Sequence, residues 1–388
     1  MSTSRNRVIQ SLLGLALLSA IASCGTPEGG TTASNLPERE LLASNIPAAS
    51  EDVDLNLLSN STHIYLNYRN RQLIDNQGVG FGTRLDTTER MASRINTDNH
   101  HLRTLREKLA SLGERYTKAD TNVQILSANI AGDTLTARVE ETSRLYYAKV
   151  HGDEPDFTAF RVERELRFVR RNNSWVLDDA QLANPDGVAP INELVETTSA
   201  DPISKPEISP SEIAHVTPSG RVGNNLIGDI MFLVNRSGMV NYARTYALRY
   251  NTTYRTFGND CTNFVSQAAL AGGWGMITGY YTNDDVWWYT SGFLGHQSYT
   301  WAGAQNWLQF AVNRSHRTTI LANVWHMQPA DVMQMDFDRD NNINHSMIVT
   351  KVGAGDIYLS YHTTDTLDRS LKSIIASYPT AWYYSHSM

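Results

Sequence analysis

Two residues of this chain sit where a sequence can place a nucleophile and its base. Cys261 opens the apolar run Thr262-Asn263-Phe264-Val265-Ser266-Gln267, and far downstream His345, behind Asn344, opens the strand-like Met347-Ile348-Val349-Thr350. A thiol has a reference pKa of about 8.5 and is mostly protonated at neutral pH. It attacks a carbonyl only when helped to become a thiolate, and a helix N-terminus and a neighbouring imidazole are two such aids. Phe264, Val265, Ala268 and Ala269 recur at helical spacing after Cys261 and stop at Gly272-Gly273, so Cys261 is expected in the first turn of a helix. A buried structural cysteine is the competing reading for such a thiol, and the His345 strand weighs against it.

The strands after His345 yield a candidate third residue. His345 to Val352 and Ile357 to His362 read as a hairpin around Gly353-Ala354-Gly355-Asp356. With those four residues as the loop, Val352 pairs with Ile357 and Met347 faces His362, which puts His362 diagonally beside His345 on one face. Thr364 then lies opposite His345 and Asp365 points away. His362 is therefore expected to orient His345, with Asp365 the alternative if the register slips by one residue and exchanges the faces. Asp260 adjoins the nucleophile and could shape its turn. Tyr250 or Tyr254, just upstream, could serve the oxyanion or substrate, or simply pack. Trp287 and Trp288 could floor a cleft or belong to the core, whereas Trp301, Trp307 and Phe310 fall at near-helical core spacing.

The elements that must position these groups sit in a chain of 388 residues, long enough for two domains and linkers. Arg5 and Arg7 precede an apolar stretch from Val8 to Ala22, shorter than the ~20 residues a membrane span needs, and Ile21-Ala22-Ser23-Cys24 follows. This reads as a secretion signal ending in a lipobox, residues 1–24, with Cys24 lipidated. Ordinary signal cleavage with Cys24 incidental is the alternative, and a disulfide to Cys261 is a third. Residues 25–50 read as a flexible tether. In 51–183, Asp86-Thr87-Thr88-Glu89 reads as a capping box opening a helix that stops at Gly113, and a meander of strands follows, together a small α+β domain. Proline-rich residues 184–225 read as a second linker, leaving 226–388 for the domain with Cys261 and His345. Seven of the eight Trp and no Glu lie beyond residue 212, where 11 Lys and Arg balance 11 Asp. The net charge of −7 offers no basic face for nucleic acid. Asp336, Asp338 and Asp340 imitate the start of a calcium loop, but Asn341 replaces its glycine and Met347 its closing Glu, so a polar turn is expected. No His-Glu-x-x-His frame occurs. Neither a metal nor a cofactor is expected.

Residues 240–375 resemble the bacterial putative amidase domain family, a branch of the NlpC-like papain-fold cysteine hydrolases. The resemblance lies in Tyr254 to Gly273, Asp285 to Tyr289 with Tyr299-Thr300-Trp301, Pro329-Ala330-Asp331-Val332, Asn344 to Thr350, and Tyr361-His362-Thr363-Thr364-Asp365. Ala330 departs from the glycine usual before that Asp. The resemblance implies an α+β, papain-like domain in which a Cys-bearing helix packs on an antiparallel sheet bearing the His. It also implies Cys261 as nucleophile, His345 as base and a polar third residue. The implied reaction is amide hydrolysis, with cell-wall peptide as substrate, and the leader with its lipobox is what places it on the outer face of the cytoplasmic membrane or on an outer membrane. A non-catalytic wall-binding module and an acyltransferase using the same thioester are the rival functions. For 51–183 the order of elements weakly resembles the cone-shaped domains of the nuclear-transport-factor-two-like superfamily.

Overall fold

The computed structural model describes residues 55–74, 85–195, 234–291 and 296–388. Cys24, the leader, the tether and residues 196–225 of the expected linker lie outside that set. Helices α1 (Leu55–Arg71) and α2 (Glu89–Ser111) precede strands β1 (Tyr116–Ala131), β2 (Thr134–Tyr147), β3 (Phe157–Arg171) and β4 (Ser174–Leu182). The sequence signals explain these boundaries. Thr88 caps α2 by accepting from the Met91 amide. Asn172 and Asn173 both take positive φ, as a two-residue hairpin turn between β3 and β4 requires.

The second half contributes α3 (Arg236–Tyr246), α4 (Cys261–Ala271), β5 (Thr319–Leu321), β6 (Val332–Asp336), β7 (His345–Val352), β8 (Ile357–Tyr361), β9 (Asp365–Ser370), α5 (Leu371–Ser377) and β10 (Trp382–Ser387). All strands join one antiparallel sheet in the order β1-β2-β3-β9-β8-β7-β6-β10-β5, with β4 also on β3. The architecture is thus mixed α+β around one large antiparallel sheet. Strand β3 is the hinge of this arrangement. Its Arg164–Arg171 stretch pairs with β4, and its Ala159–Arg161 stretch pairs with Asp365–Leu367 of β9. Because β3 outruns β4, its leading backbone groups need other partners, and β9 supplies them. The front meander and the His-bearing strands therefore share a sheet.

Strands β7 and β8 have a helix-packed core on each face. Ile348 joins Phe264, Val265 and Ala268 of α4 in one core cluster. Met347, Val349, Leu359 and Tyr361 join Leu371 and Ile374 of α5 in another. The hairpin starts in the expected register, Val352 opposite Ile357, but a bulge between Val349 and Lys351 shifts it, so that Val349 faces Leu359 and Ile348 faces Ser360. That single extra residue puts His362 on the α4 face, opposite to the expected one.

Residues 184–195, expected to begin a linker, are packed instead. Val188 lies in the α5-side core. Asn192 donates to Asn70 and Glu141, and Glu193 accepts from Arg164 at 2.6 Å and Arg69 at 3.3 Å. Arg164 also donates to Glu141 at 2.6 Å, and Arg69 pairs with Asp98. Both guanidinium groups are buried, so their charges need these partners. Replacing one member leaves its partners as uncompensated buried charges. Arg164→Leu is expected to lower the unfolding free energy by about 3–5 kcal/mol, measured by urea titration; a change under about 1 kcal/mol would contradict this account of how the segment is held.

Candidate active site

Helix α4 begins at Cys261 and ends where Gly272 and Gly273 stop it, Gly273 at φ +93°. Asp260 occupies the N-cap position without capping through its side chain. Its carboxylate is fully buried and used elsewhere. Oδ1 accepts from the Phe257 amide and from Asn263 Nδ2, and Oδ2 accepts from His362 Nδ1 at 2.7 Å. The turn before the helix is thereby tied down on three sides.

Cys261 projects into a nearly sealed space. Its S–H donates to Asn259 Oδ1 at 3.4 Å, and the Thr262 hydroxyl lies 3.7 Å from the sulfur. Burial pushes the thiol up, while the Ser346 amide, the Thr262 hydroxyl and the Thr262 amide hold it down in part. Ser346 follows His345, so the sulfur rests against the start of β7. The Ser346 hydroxyl in turn meets Thr262 Oγ1 at 2.9 Å and accepts from Gln334. At rest this is a neutral thiol on a helix N-terminus.

The His345 ring lies 5.2 Å from the Tyr361 ring and 6.3 Å from Phe337. It is completely buried, and among the described residues neither ring nitrogen has a hydrogen-bond partner. Burial alone pushes the imidazole down to about 3. Gly187 covers it: at φ +80°, a Cβ there would sit 2.8 Å from Thr363 Cγ2 and 3.4 Å from His345 Nδ1. The covering segment is pinned because the Val188 carbonyl accepts from Thr364 and the Ala189 carbonyl from Arg369.

His362 does not meet His345, contrary to the expected register. Its ring stacks on Phe264 at 4.2 Å, Nδ1 donates to Asp260, and Nε2 donates to the Tyr246 carbonyl at 2.8 Å. Both nitrogens face acceptors, which suits an imidazolium. Burial opposes that charge, but Asp365 and Asp260 outweigh it and the group is raised. Asp365 does not reach His345 either; it accepts from the Tyr250 hydroxyl at 3.1 Å and from Arg161. Tyr250 is thus turned toward Asp365, not toward the sulfur. The Tyr254 ring packs on Tyr289 and Trp301. Trp287 is fully buried and bonded to Ser266, which makes it core and not cleft floor. Trp288 is partly exposed and bonds the Gly279 carbonyl.

Three residues that sequence reasoning passed over converge here: Asn259, Thr363 and Gly187. Proximity to Cys261 could have flagged Asn259. Nothing local marks Thr363, whose role comes from the β8–β9 turn. Asp336, Asp338 and Asp340 bring carboxylate oxygens within 4.8 Å of one another. Asp336 also accepts from the amides of Arg339, Asp340 and Asn341, as a turn does, and burial raises it to about 6.

Residues 234–386 match the family described as putative amidase domain, which supports an amidase-like domain in this part of the chain and amide hydrolysis in general. The uncharacterized protein YhbB of Bacillus subtilis (strain 168) is 31% identical over 130 residues, 33% of this chain and 40% of that protein. The uncharacterized protein YjcM of the same strain is 30% identical over 128 residues, 33% of this chain and 30% of that protein. The chain therefore spans less than half the length of either relative. Among solved structures, an Ntf2-like protein involved in plasmid conjugation is 7% identical, covering 81% of this chain and 88% of its own with a TM-score of 0.18. That likeness is too slight to assign the fold of the front half.

The sealed imidazole gives the fold a pH signature. An unfolded His titrates near 6.5, whereas folded His345 titrates near 3, so the unfolded chain binds the extra proton between those values. Its contribution to stability is complete above about 6.5 and is lost as pH falls toward 3. Buried His386, also held down to about 3, acts in the same sense. Thermal melts from pH 7.5 to 4.5 should show a falling midpoint, and His345→Gln should make that fall shallower. An unchanged slope in the variant would mean that His345 is not sealed in solution.

Proposed function

We propose that residues 234–388 form a cysteine hydrolase that cleaves amides through an acyl-enzyme. The observation that supports this best is Cys261 at the N-terminus of α4 with its sulfur on the amide of Ser346, the residue after His345, inside the segment matched to an amidase family. In this mechanism substrate entry lifts the 184–189 cover and admits polar groups, and the His345 imidazole then takes the thiol proton. The thiolate pair forms the S–C bond while the carbonyl π pair moves to oxygen. Collapse expels the amine, protonated by His345, and leaves a thioester. Water, deprotonated by His345, attacks the thioester, and the carboxylic acid departs as Cys261 is restored. Asp260 and His362 act as positioning residues that fix the Cys261 turn.

Cys261→Ala is expected to abolish amide hydrolysis with the melting temperature nearly unchanged. His345→Ala should cost roughly 10²–10⁴-fold in turnover, the usual range for acid–base help. Mass spectrometry of purified wall fragments after incubation tests both the activity and cell-wall peptide as its substrate. Hydrolysis retained by Cys261→Ala would remove this reading.

The proposed site of action is outside the cytoplasm, on a lipid attached at Cys24. This rests on the Arg5, Arg7 and apolar leader sequence. Cys24→Ser should shift the protein from the membrane fraction to the soluble one; retention after a high-salt wash would instead favour an uncleaved leader as anchor.

A further inference from the structure

An oxyanion needs hydrogen-bond donors that are in place before charge develops. The first turn of α4 supplies the Cys261 amide, and a second donor has to come from a side chain or loop beside the sulfur. Most polar side chains there are already committed. The Thr262 and Ser346 hydroxyls bond each other, Tyr250 donates to Asp365, and both amide hydrogens of Asn263 are taken, by the Arg255 carbonyl and Asp260. Asn259 differs. Its Oδ1 touches the reacting sulfur at 3.4 Å and also accepts from Thr363 Oγ1 at 3.1 Å. Among the described residues its Nδ2 makes no hydrogen bond, and the residue borders solvent.

Thr363 makes this orientation a built one. Its hydroxyl accepts from the Asp260 amide at 3.1 Å, so its own hydrogen is left to point at Asn259 Oδ1. The carboxamide is therefore pinned by its oxygen, with its NH₂ free. Thr363 also stands at φ +88°, a region that a β-branched residue occupies only at a cost of order 1–3 kcal/mol. Strain of this kind, one residue from a hydrogen bond to the sulfur, is expected where the surrounding fold insists on a position.

We propose that Asn259 is the side-chain donor of the oxyanion hole, its Nδ2 pairing with the Cys261 amide, and that Thr363 is its positioning residue. This rests on Cys261 being the nucleophile. As the S–C bond forms, the sulfur loses its proton to His345 and ceases to be a donor to Oδ1. The carbonyl oxygen gains the π electron pair and accepts from Nδ2. The same two donors release it when the C–N bond breaks.

The test compares two reactions of Cys261, only one of which makes an oxyanion. Acylation by p-nitrophenyl acetate passes through a tetrahedral oxyanion; alkylation by iodoacetamide is a direct displacement at carbon and does not. Rates are taken relative to Cys261→Ala, which sets the background. Asn259→Ala should slow acylation roughly 10²–10³-fold, the range for losing one such donor, while alkylation stays within about threefold. Thr363→Val, which keeps shape and loses the hydroxyl, should slow acylation about tenfold, and Thr363→Ser should restore it. Equal slowing of both reactions by Asn259→Ala, or acylation within about threefold of the parent, would overturn the assignment of Asn259. Acylation undiminished in Cys261→Ala would overturn the nucleophile instead, a distinguishable outcome.

Discussion

The carboxylate of Asp260 is the point on which the rest of the site hangs. A carboxylate taken fully out of water costs several kcal/mol unless its lone pairs are met, and this one is met by the Phe257 amide, Asn263 and His362. Each of those partners belongs to a different part of the structure: the turn before α4, the helix itself, and the end of β8. Satisfying one buried charge therefore fixes the relative position of the Cys261 turn and the β8–β9 turn. That position sets Thr363 against Asn259, and Asn259 against the sulfur.

The same desolvation governs Cys261 and His345. Burial raises Cys261 and lowers His345, so each is held in its neutral form. A thiolate–imidazolium pair in this sealed setting would bring two charges into a space with no polar partner for the imidazole. The 184–189 segment is what seals it, since Gly187 alone leaves no room for a side chain beside His345 and Thr363. In the proposed mechanism, opening that cover raises the local dielectric and supplies partners for the imidazole, which favours proton transfer from sulfur to His345. On that proposal reactivity is coupled to access, and the thiol stays neutral until a substrate arrives.

Much of this was legible in the residues. The helix start at Cys261, the N-cap that falls at Thr88 within the expected Asp86–Glu89 signal, the asparagine turn at 172–173 and the strand opening at His345 are local patterns, and local patterns fix local structure. The hairpin between β7 and β8 was half legible. Its loop and first pair follow from the glycines, but the bulge beyond Val349 answers to packing of Ile348 against α4 and Val349 against α5, which no local pattern records. That one residue moved His362 from His345 to Asp260. Trp287, open between cleft and core, and the 184–195 segment, read as linker, were not legible for a related reason. An aromatic pair and a proline-rich stretch look the same in sequence whether they are exposed or, as here, meet a buried Ser266 or two buried guanidinium groups.

The pairing of β3 with β9 was the least legible feature, because it joins segments far apart in the chain, and it bears on chemistry. Arg161 of β3 donates to Asp365, Asp365 is the strongest influence raising His362 against burial, and His362 bonds Asp260 beside Cys261. A chain of charged contacts thus runs from the front meander to the Cys261 turn. Arg161 is the cationic partner of Asp365. The front meander therefore does more than accompany the amidase-like segment. Its third strand completes that segment's sheet and supplies the arginine paired with Asp365, the carboxylate that raises His362.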